Sequence, residues 1–326
     1  TLYLIRKFMK TGRPFYVLLI TLIIYMSTCL WHSRSMVEHT MKSTKKKSCN
    51  AEVLNFEDRL LSPKEWIFSE KEQKRKKEIS DINLQLAEQE NRKAWCHSFF
   101  IIVSSAVFFL IVFSFYFGTD LFYKAVTLNL TAISLVCLYT GIYTPIIEIC
   151  AFNDDLLVPL NIEIKKIPLF NSIPWFREQE IGFTKRFEGR MYYFYQSKSI
   201  AEIIRLLFKD GNIVVGSSIL CFSVFIPVFK LIISLTILFS NRLRNLNWLK
   251  TTVGIMGKWS MADVFLVASY LAYLSFSNMN PGVETEAKAM IGLYYFFAFV
   301  ILSITTTVFI NHAIDGKQKH ERKLKR

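Results

Sequence analysis

What this sequence lacks narrows its function first. Its six cysteines form no C-x-x-C pair, which argues against a zinc ribbon. It has no H-E-x-x-H, no G-x-S-x-G and no phosphate-binding glycine loop. The metalloprotease, serine-hydrolase and nucleotide chemistries that need those spacings therefore have no place to occur. Its five histidines are scattered at span boundaries and in the tail. No internal repeat or low-complexity tract is visible. The expectation is a protein that is not an enzyme, with no metal site and no cofactor beyond bound phospholipid.

What is present is apolar and arranged in blocks. Of the 326 residues, 52% are hydrophobic and 15% aromatic, which is unusual for a soluble chain. Runs of roughly 18 or more apolar residues with few charges read as transmembrane helices. Six occur, at 15–31, 98–118, about 125–149, 213–239, 261–277 and 290–313. The expected fold is an all-α polytopic membrane protein of six transmembrane helices, with a small α+β extramembrane segment and a long protruding helix.

The net charge of +14 would suit nucleic acid, but its placement argues for membrane topology instead. Three segments each net +4: the arm with Arg6, Lys7, Lys10 and Arg13; residues 240–258 with Arg242, Arg244, Lys250 and Lys258; and the tail beyond Ile314. With six spans all three fall on one side, as the positive-inside rule expects. Residues 1–14 then form a basic cytoplasmic arm and 315–326 a basic cytoplasmic tail, with no nucleic-acid partner.

Two long segments fall on the other side, 32–97 and 150–212. The first carries "KKK" at 45–47, nearly balanced by acids, and loops of such length cross membranes largely regardless of charge. In "LSPKEW", Ser62 fits an N-cap, Pro63 the first helical position and Glu65 a capping box. No Pro or Gly follows until Gly118, so one helix should run from 63 through 97 into the second span. Its soluble part would project roughly 50 Å at about 1.5 Å per residue. Ile79, Ile82 and Leu86 follow helical spacing too briefly for a coiled coil. A solvated strut and a partner-docking arm are both consistent with it. Together 15–118 would make a helical hairpin.

In the second segment, Val158, Leu160, Ile162 and Ile164 alternate with polar neighbours, the period of a half-buried strand. "RMYYFYQ" at 190–196 is a second strand candidate. The period then changes: Ile200, Ile203, Ile204, Leu207 and Phe208 share one helical face. Ser199 and Glu202 form a capping box and Gly211 a stop, in a short amphipathic helix suited to the membrane interface. Cys29, Cys137, Cys150 and Cys221 read as small buried hydrophobes. Cys49 and Cys96 lie on one side, free to pair in an oxidising compartment, though nothing in their spacing requires it. The sequon "NLT" at 129–131 sits at the start of a span and is discounted.

Charges inside the membrane are costly and are functional candidates by default. Lys230 stands in "CFSVFIPVFKLIISLTILF", three residues after Pro227, where a freed backbone carbonyl invites a kink and a polar cavity. Glu148 closes the third span in "YTPIIEIC", at the outer interface. "MGKWSMADVFLVASYLAYL" opens the fifth span: Ser260 and Asp263 have capping-box spacing, Trp259 fits an aromatic belt, and Lys258 faces the headgroups. A helix start and a functional carboxylate stand about equal for Asp263. Lys230 and Asp263 differ in depth by roughly 10 Å, at about 1.5 Å per residue, which makes pairing awkward.

"GKWSMADVFLVA", with "FIPVFKLI" upstream, "GLYYFFAFVILSI" downstream and "TGIYTPIIEI" before them, resembles the paraquat-inducible protein A family. The resemblance covers about 125–314, one four-span module within 119–314. It implies a bacterial inner-membrane protein, both termini cytoplasmic, moving lipids beside an MCE-type lipid-tunnel protein. Pro227, Lys230, Trp259, Ser260, Asp263, Val264 and Phe265 occupy the family's motif positions. The chain departs from the family in having one module and no zinc ribbons, and residues 1–118 have no recognised counterpart. It begins at Thr rather than Met, as a processed or incomplete chain would. Two functions follow as expectations. One is a membrane component of intermembrane lipid transport. The other is a non-catalytic accessory subunit of a larger membrane complex, in a mitochondrial inner membrane if eukaryotic, bound through the 63–97 helix.

Overall fold

The structure, a computed structural model, describes residues 13–64, 69–119, 121–163, 180–239, 268 and 284–324. Two very long helices open the fold. Helix α1 spans Arg13–Val53 and, after the short α2 (Phe56–Leu60), helix α3 spans Ser69–Tyr116. The helix of the first span thus continues well past residue 31, because no Pro or Gly interrupts the chain between Pro14 and the turn at Leu54 and Asn55. That turn is fixed by the Asn55 side chain, whose Oδ1 accepts the Glu57 amide at 2.8 Å as the N-cap of α2. The expected unbroken run into the second span holds from Ser69 onward. Glu65, its expected capping partner, lies outside the described residues. Gly118, at φ +76°, ends the run, a left-handed conformation that suits glycine.

The long helix is therefore not a lone strut. It lies antiparallel to α1 along both the apolar and the charged stretches, pinned by side chains at graded depths. Tyr25 Oη and Ser105 Oγ meet at 2.5 Å, and the Ser43 hydroxyl donates to the Ala87 carbonyl at 2.8 Å. Small and slender side chains, Cys29, Met36, Ala87 and Ala94, fill the seam and are essentially buried.

Helix α4 (Phe122–Tyr143) is the centre of the bundle and is buried along most of its length. The third span was expected to reach 149, but it stops at Tyr143. Thr144 precedes a proline, and that position disfavours helical backbone; its ψ of 148° turns the chain into a strand. Strand β1 (Pro145–Glu163) pairs antiparallel with β2 (Glu180–Ser199) on one edge and β3 (Glu284–Ala289) on the other. Both expected strands lie within this sheet as far as Glu163; Ile164 lies outside the described residues. Helix α5 (Ile200–Lys209) follows with the expected reciprocal capping box between Ser199 and Glu202, and Ile200 and Ile204 face inward. Gly211, at φ +80°, forms its stop.

The next span is helical in three parts: α6 (Ile213–Leu220), a π-helical turn (Cys221–Phe225) and α7 (Ile226–Phe239). Helix α8 (Ile291–Leu324) closes the described chain and runs along α4. Two glycines allow the approach. A Cβ on Gly141 would stand 2.9 Å from the Phe296 nitrogen, and one on Gly292 would stand 2.5 Å from the carbonyl oxygens of Thr144 and Pro145.

Among the described residues, five helices are long and apolar enough to cross a membrane: within 16–53, 70–116, 122–143, 213–233 and 291–310. The protein is a multi-pass membrane protein. The expected span 261–277 lies outside the described residues. The two segments expected outside the membrane meet where Tyr192 N–H donates to the Leu54 carbonyl at 2.9 Å.

Candidate functional site

Pro227 and Lys230 share an inward face with Ser223, and all three are buried. The π-helical turn explains how the chain manages the proline. The Ile226 amide bonds five residues back to the Cys221 carbonyl, and Pro227 has no amide to continue the regular ladder. Lys230, one turn later, is 6% exposed and donates to the Ser303 hydroxyl on α8 at 3.2 Å. Among the described residues no carboxylate forms an ion pair with it, so a neutral hydroxyl is the only contact that answers its ammonium there. An ammonium carries three donors, and this contact uses one of them.

Trp259, Ser260 and Asp263, with Val264 and Phe265, lie outside the described residues, as does any pairing of Asp263 with Lys230. Glu148 is placed differently from the expectation. It does not close a transmembrane helix but sits on β1, because the helix has already ended at Tyr143. Its carboxylate is almost buried and accepts two contacts from Lys47 Nζ, at 2.7 and 3.0 Å, while Lys288 stands opposite on β3. Glu148 thus clamps α1 to the sheet and is far along the chain from the motif residues.

Three of the five histidines come together in space. His32 and His97 face each other across the α1–α3 seam with Nδ1 atoms 2.9 Å apart, and His39 stacks on His97 at 5.6 Å. His39 Nδ1 in turn meets Glu90 Oε2 at 2.7 Å. The signal missed was antiparallel pairing, which places residues near 32 beside residues near 97. Among the described residues no group of three His, Cys, Asp or Glu could hold a metal ion, and all six cysteines, Cys49 and Cys96 included, are free. Asn129 of the discounted sequon is fully buried, beyond the reach of glycosylation.

A groove of about 400 Å³ opens between α3, α4 and α8, walled by Ile102, Cys137, Tyr294 and Ala298, with the Trp95 ring at its edge. Nearer the start of α3, Ile79, Ile82 and Leu86 are exposed. Polar contacts tie the hairpin to the rest of the bundle: Thr140 donates to Ser33 at 3.0 Å, and Ser98 meets Tyr295 at 3.0 Å.

Neither a curated protein nor a solved structure matches the chain. Residues 188–314 match the model of the family described as Paraquat-inducible protein A, the family that the motifs resemble, and that segment holds Pro227, Lys230 and Ser303.

Proposed function

We propose that the chain is the membrane component of an intermembrane lipid-transport or envelope-maintenance system, non-enzymatic, working beside an MCE-type lipid-tunnel protein. Its setting in this reading is a bacterial inner membrane, with both termini cytoplasmic and the α1–α3 hairpin and the sheet on the far side. The observation that carries it is Lys230, a buried cation inside the family-matched segment, answered by a single serine hydroxyl among the described residues. An anionic lipid headgroup has the charge and the hydrogen-bond acceptors to complete that site. The apolar groove between α3, α4 and α8 has walls suited to an acyl chain. The exposed Ile79, Ile82 and Leu86 offer the long hairpin a surface for the partner.

The test is Lys230→Met, which keeps length and flexibility and removes the charge. The expected result is normal membrane assembly with less co-purified anionic lipid and a weakened envelope barrier. Equal lipid content in variant and parent would reject the role of Lys230.

A second reading, an accessory subunit of a larger complex such as one in a mitochondrial inner membrane, is favoured by the hairpin. It lies outside the matched segment yet is bonded into the bundle at Ser33, Lys47 and Ser98. Co-purification separates the two: an MCE-type protein supports transport, and other assembly subunits support the accessory role.

A further inference from the structure

Three imidazoles and a carboxylate meet on the α1–α3 seam where the sequence passes from apolar to charged stretches. His32 directly follows the apolar run 15–31, and His97 directly precedes the run 98–118. Their Nδ1 atoms stand 2.9 Å apart. That contact is a hydrogen bond only while one Nδ1 carries a proton and the other is bare. A proton on each ring would set two N–H groups against one another with no acceptor, and two like charges side by side.

The surroundings hold the rings in place without offsetting such charge. Trp31 meets the His32 ring edge-on at 4.7 Å, and Phe100 lies against it at 4.0 Å. His39 stacks on His97 at 5.6 Å, with the rings 10° from parallel, so a charge on His39 opposes one on His97. Glu90 on α3 faces His39 at 2.7 Å and already accepts from Lys93 at 2.8 Å. On α1, Glu38 accepts from Lys42 at 2.8 Å, and Arg34 adds positive charge beside it. Among the described residues, α4 and α8 bring only hydroxyls to this level, Thr140 on Ser33 and Tyr295 on Ser98.

Burial first, and then a neighbouring imidazole, lowers both His32 and His97 from the ordinary value of 6.5; the neighbour is His97 for His32 and His39 for His97. A histidine held down in this way contributes its full stability above 6.5 and loses it as pH falls below that value.

The pair is placed to transmit that loss. Ser33, the residue after His32, accepts from Thr140 on α4, and Ser98, the residue after His97, meets Tyr295 on α8, each at 3.0 Å. Ser98 and Tyr295 also line the apolar groove. The contacts to either side along the seam, Ser43 on the Ala87 carbonyl and Tyr25 on Ser105, contain no group that titrates near neutrality. A separation at the histidines therefore has fixed ends.

We propose that His32 and His97 form an acid-released latch. Sharing one proton, they hold α1 to α3 at the level of Ser33 and Ser98. A proton on each parts the helices there and loosens the hairpin from α4 and α8. The signal it reads is the acidity around the hairpin, and it does not depend on Lys230 or on the chain carrying lipid.

The experiment is dipolar EPR on the full chain in dodecyl maltoside, with nitroxide labels on α3 at the exposed Cys96 and on α1 at Arg34→Cys. Cys49→Ser and Cys221→Ala remove the other accessible thiols, since Cys29, Cys137 and Cys150 are buried. Spectra are compared between about pH 8 and pH 5, the range in which histidine changes charge. The spin–spin broadening at the higher pH should be largely lost at the lower and should return on neutralisation. His32→Gln and His97→Gln each remove one ionisable ring and keep a hydrogen-bonding head, and both should stay broadened throughout. A melting curve for each variant confirms folding. Unchanged broadening in the labelled parent overturns the proposal and needs neither glutamine variant. A loss that persists undiminished in both glutamine variants overturns it as well, because another group would then be the trigger.

Discussion

Gly292→Ala tests how tightly α4 and α8 are joined. A Cβ at this position would lie 2.5 Å from two backbone oxygens, Thr144 and Pro145, and 2.8 Å from Thr144 Oγ1. The oxygens belong to the backbone where α4 passes into β1, so no side-chain rotation relieves the contact. The helix must move by several tenths of an ångström in a close-packed seam. Overpacking of this kind costs about 1–3 kcal/mol, occasionally more. Alanine recovers at most about 1 kcal/mol of helix propensity over glycine, which leaves a net loss of roughly 2 kcal/mol. Gly216→Ala on α6 is the internal control, because its added Cβ meets only side-chain atoms at 3.4 Å. That substitution should be neutral or stabilising by up to about 1 kcal/mol. The assay is the apparent melting midpoint of detergent-purified chain, followed by tryptophan fluorescence. Gly292→Ala should lower it by several degrees while Gly216→Ala does not. Equal midpoints for the parent and Gly292→Ala would refute the tight α4–α8 seam.

Three further outcomes follow from particular contacts. Ser199→Ala removes one half of the capping box of α5 and should cost about 1 kcal/mol, read as faster hydrogen exchange of the α5 amides. Lys47→Met leaves the Glu148 carboxylate buried and loses its 2.7 Å partner. Breaking such a pair costs about 3 kcal/mol, and Lys47→Met/Glu148→Met should recover most of it in thermal melts. Glu90 is held down to about 2, first by the Lys93 ammonium and then by His39. A depressed carboxylate stabilises fully above its ordinary value, near 4.5, and loses that contribution as pH falls toward 2. The midpoint advantage of the parent over Glu90→Gln should therefore be constant above pH 5 and shrink progressively below 4.5.

Much of this architecture is legible in the sequence because its signals are local. Apolar length marks the spans, Ser199 and Glu202 mark the start of α5, and Gly211 marks its end. The unbroken chain between Ser69 and Gly118 marks α3. What is not legible depends on pairing across distance. The polar "ETEAKA" of β3 has no strand periodicity, and it becomes a strand because β1 offers it an edge. The histidine cluster and the Lys47–Glu148 clamp arise from antiparallel registration of α1 with α3 and from the fold of α1 onto the sheet. The early end of the third span shows a local signal outweighed by another. Ile146, Ile147 and Ile149 continue its hydrophobicity, but Pro145 ends the helix one residue ahead of itself. Within the candidate site, Pro227 and Lys230 stand out as sequence features, while Ser303 emerges only from the packing of α7 on α8.

Lys47 and Lys230 offer a comparison that separates structural from functional charge. Lys47 reaches a carboxylate at 2.7 Å, the arrangement expected where a charge serves to hold elements together. Lys230 is 6% exposed and reaches only the Ser303 hydroxyl, with no carboxylate partner among the described residues. A central intramembrane lysine costs about 2.5–3.5 kcal/mol relative to an apolar residue, and one neutral hydrogen bond returns about 1 kcal/mol of that. If Lys230 is retained for ligand binding, its removal should relieve the residual cost. Lys230→Met should then raise the melting midpoint of lipid-stripped protein by a few degrees, while adding dioctanoyl phosphatidic acid should stabilise the parent more than the variant. This is the trade between stability and activity expected at a binding site. A fall of the midpoint comparable to that of Lys47→Met would refute the reasoning, because it would mean that Lys230 too is a clamp with a strong partner of its own.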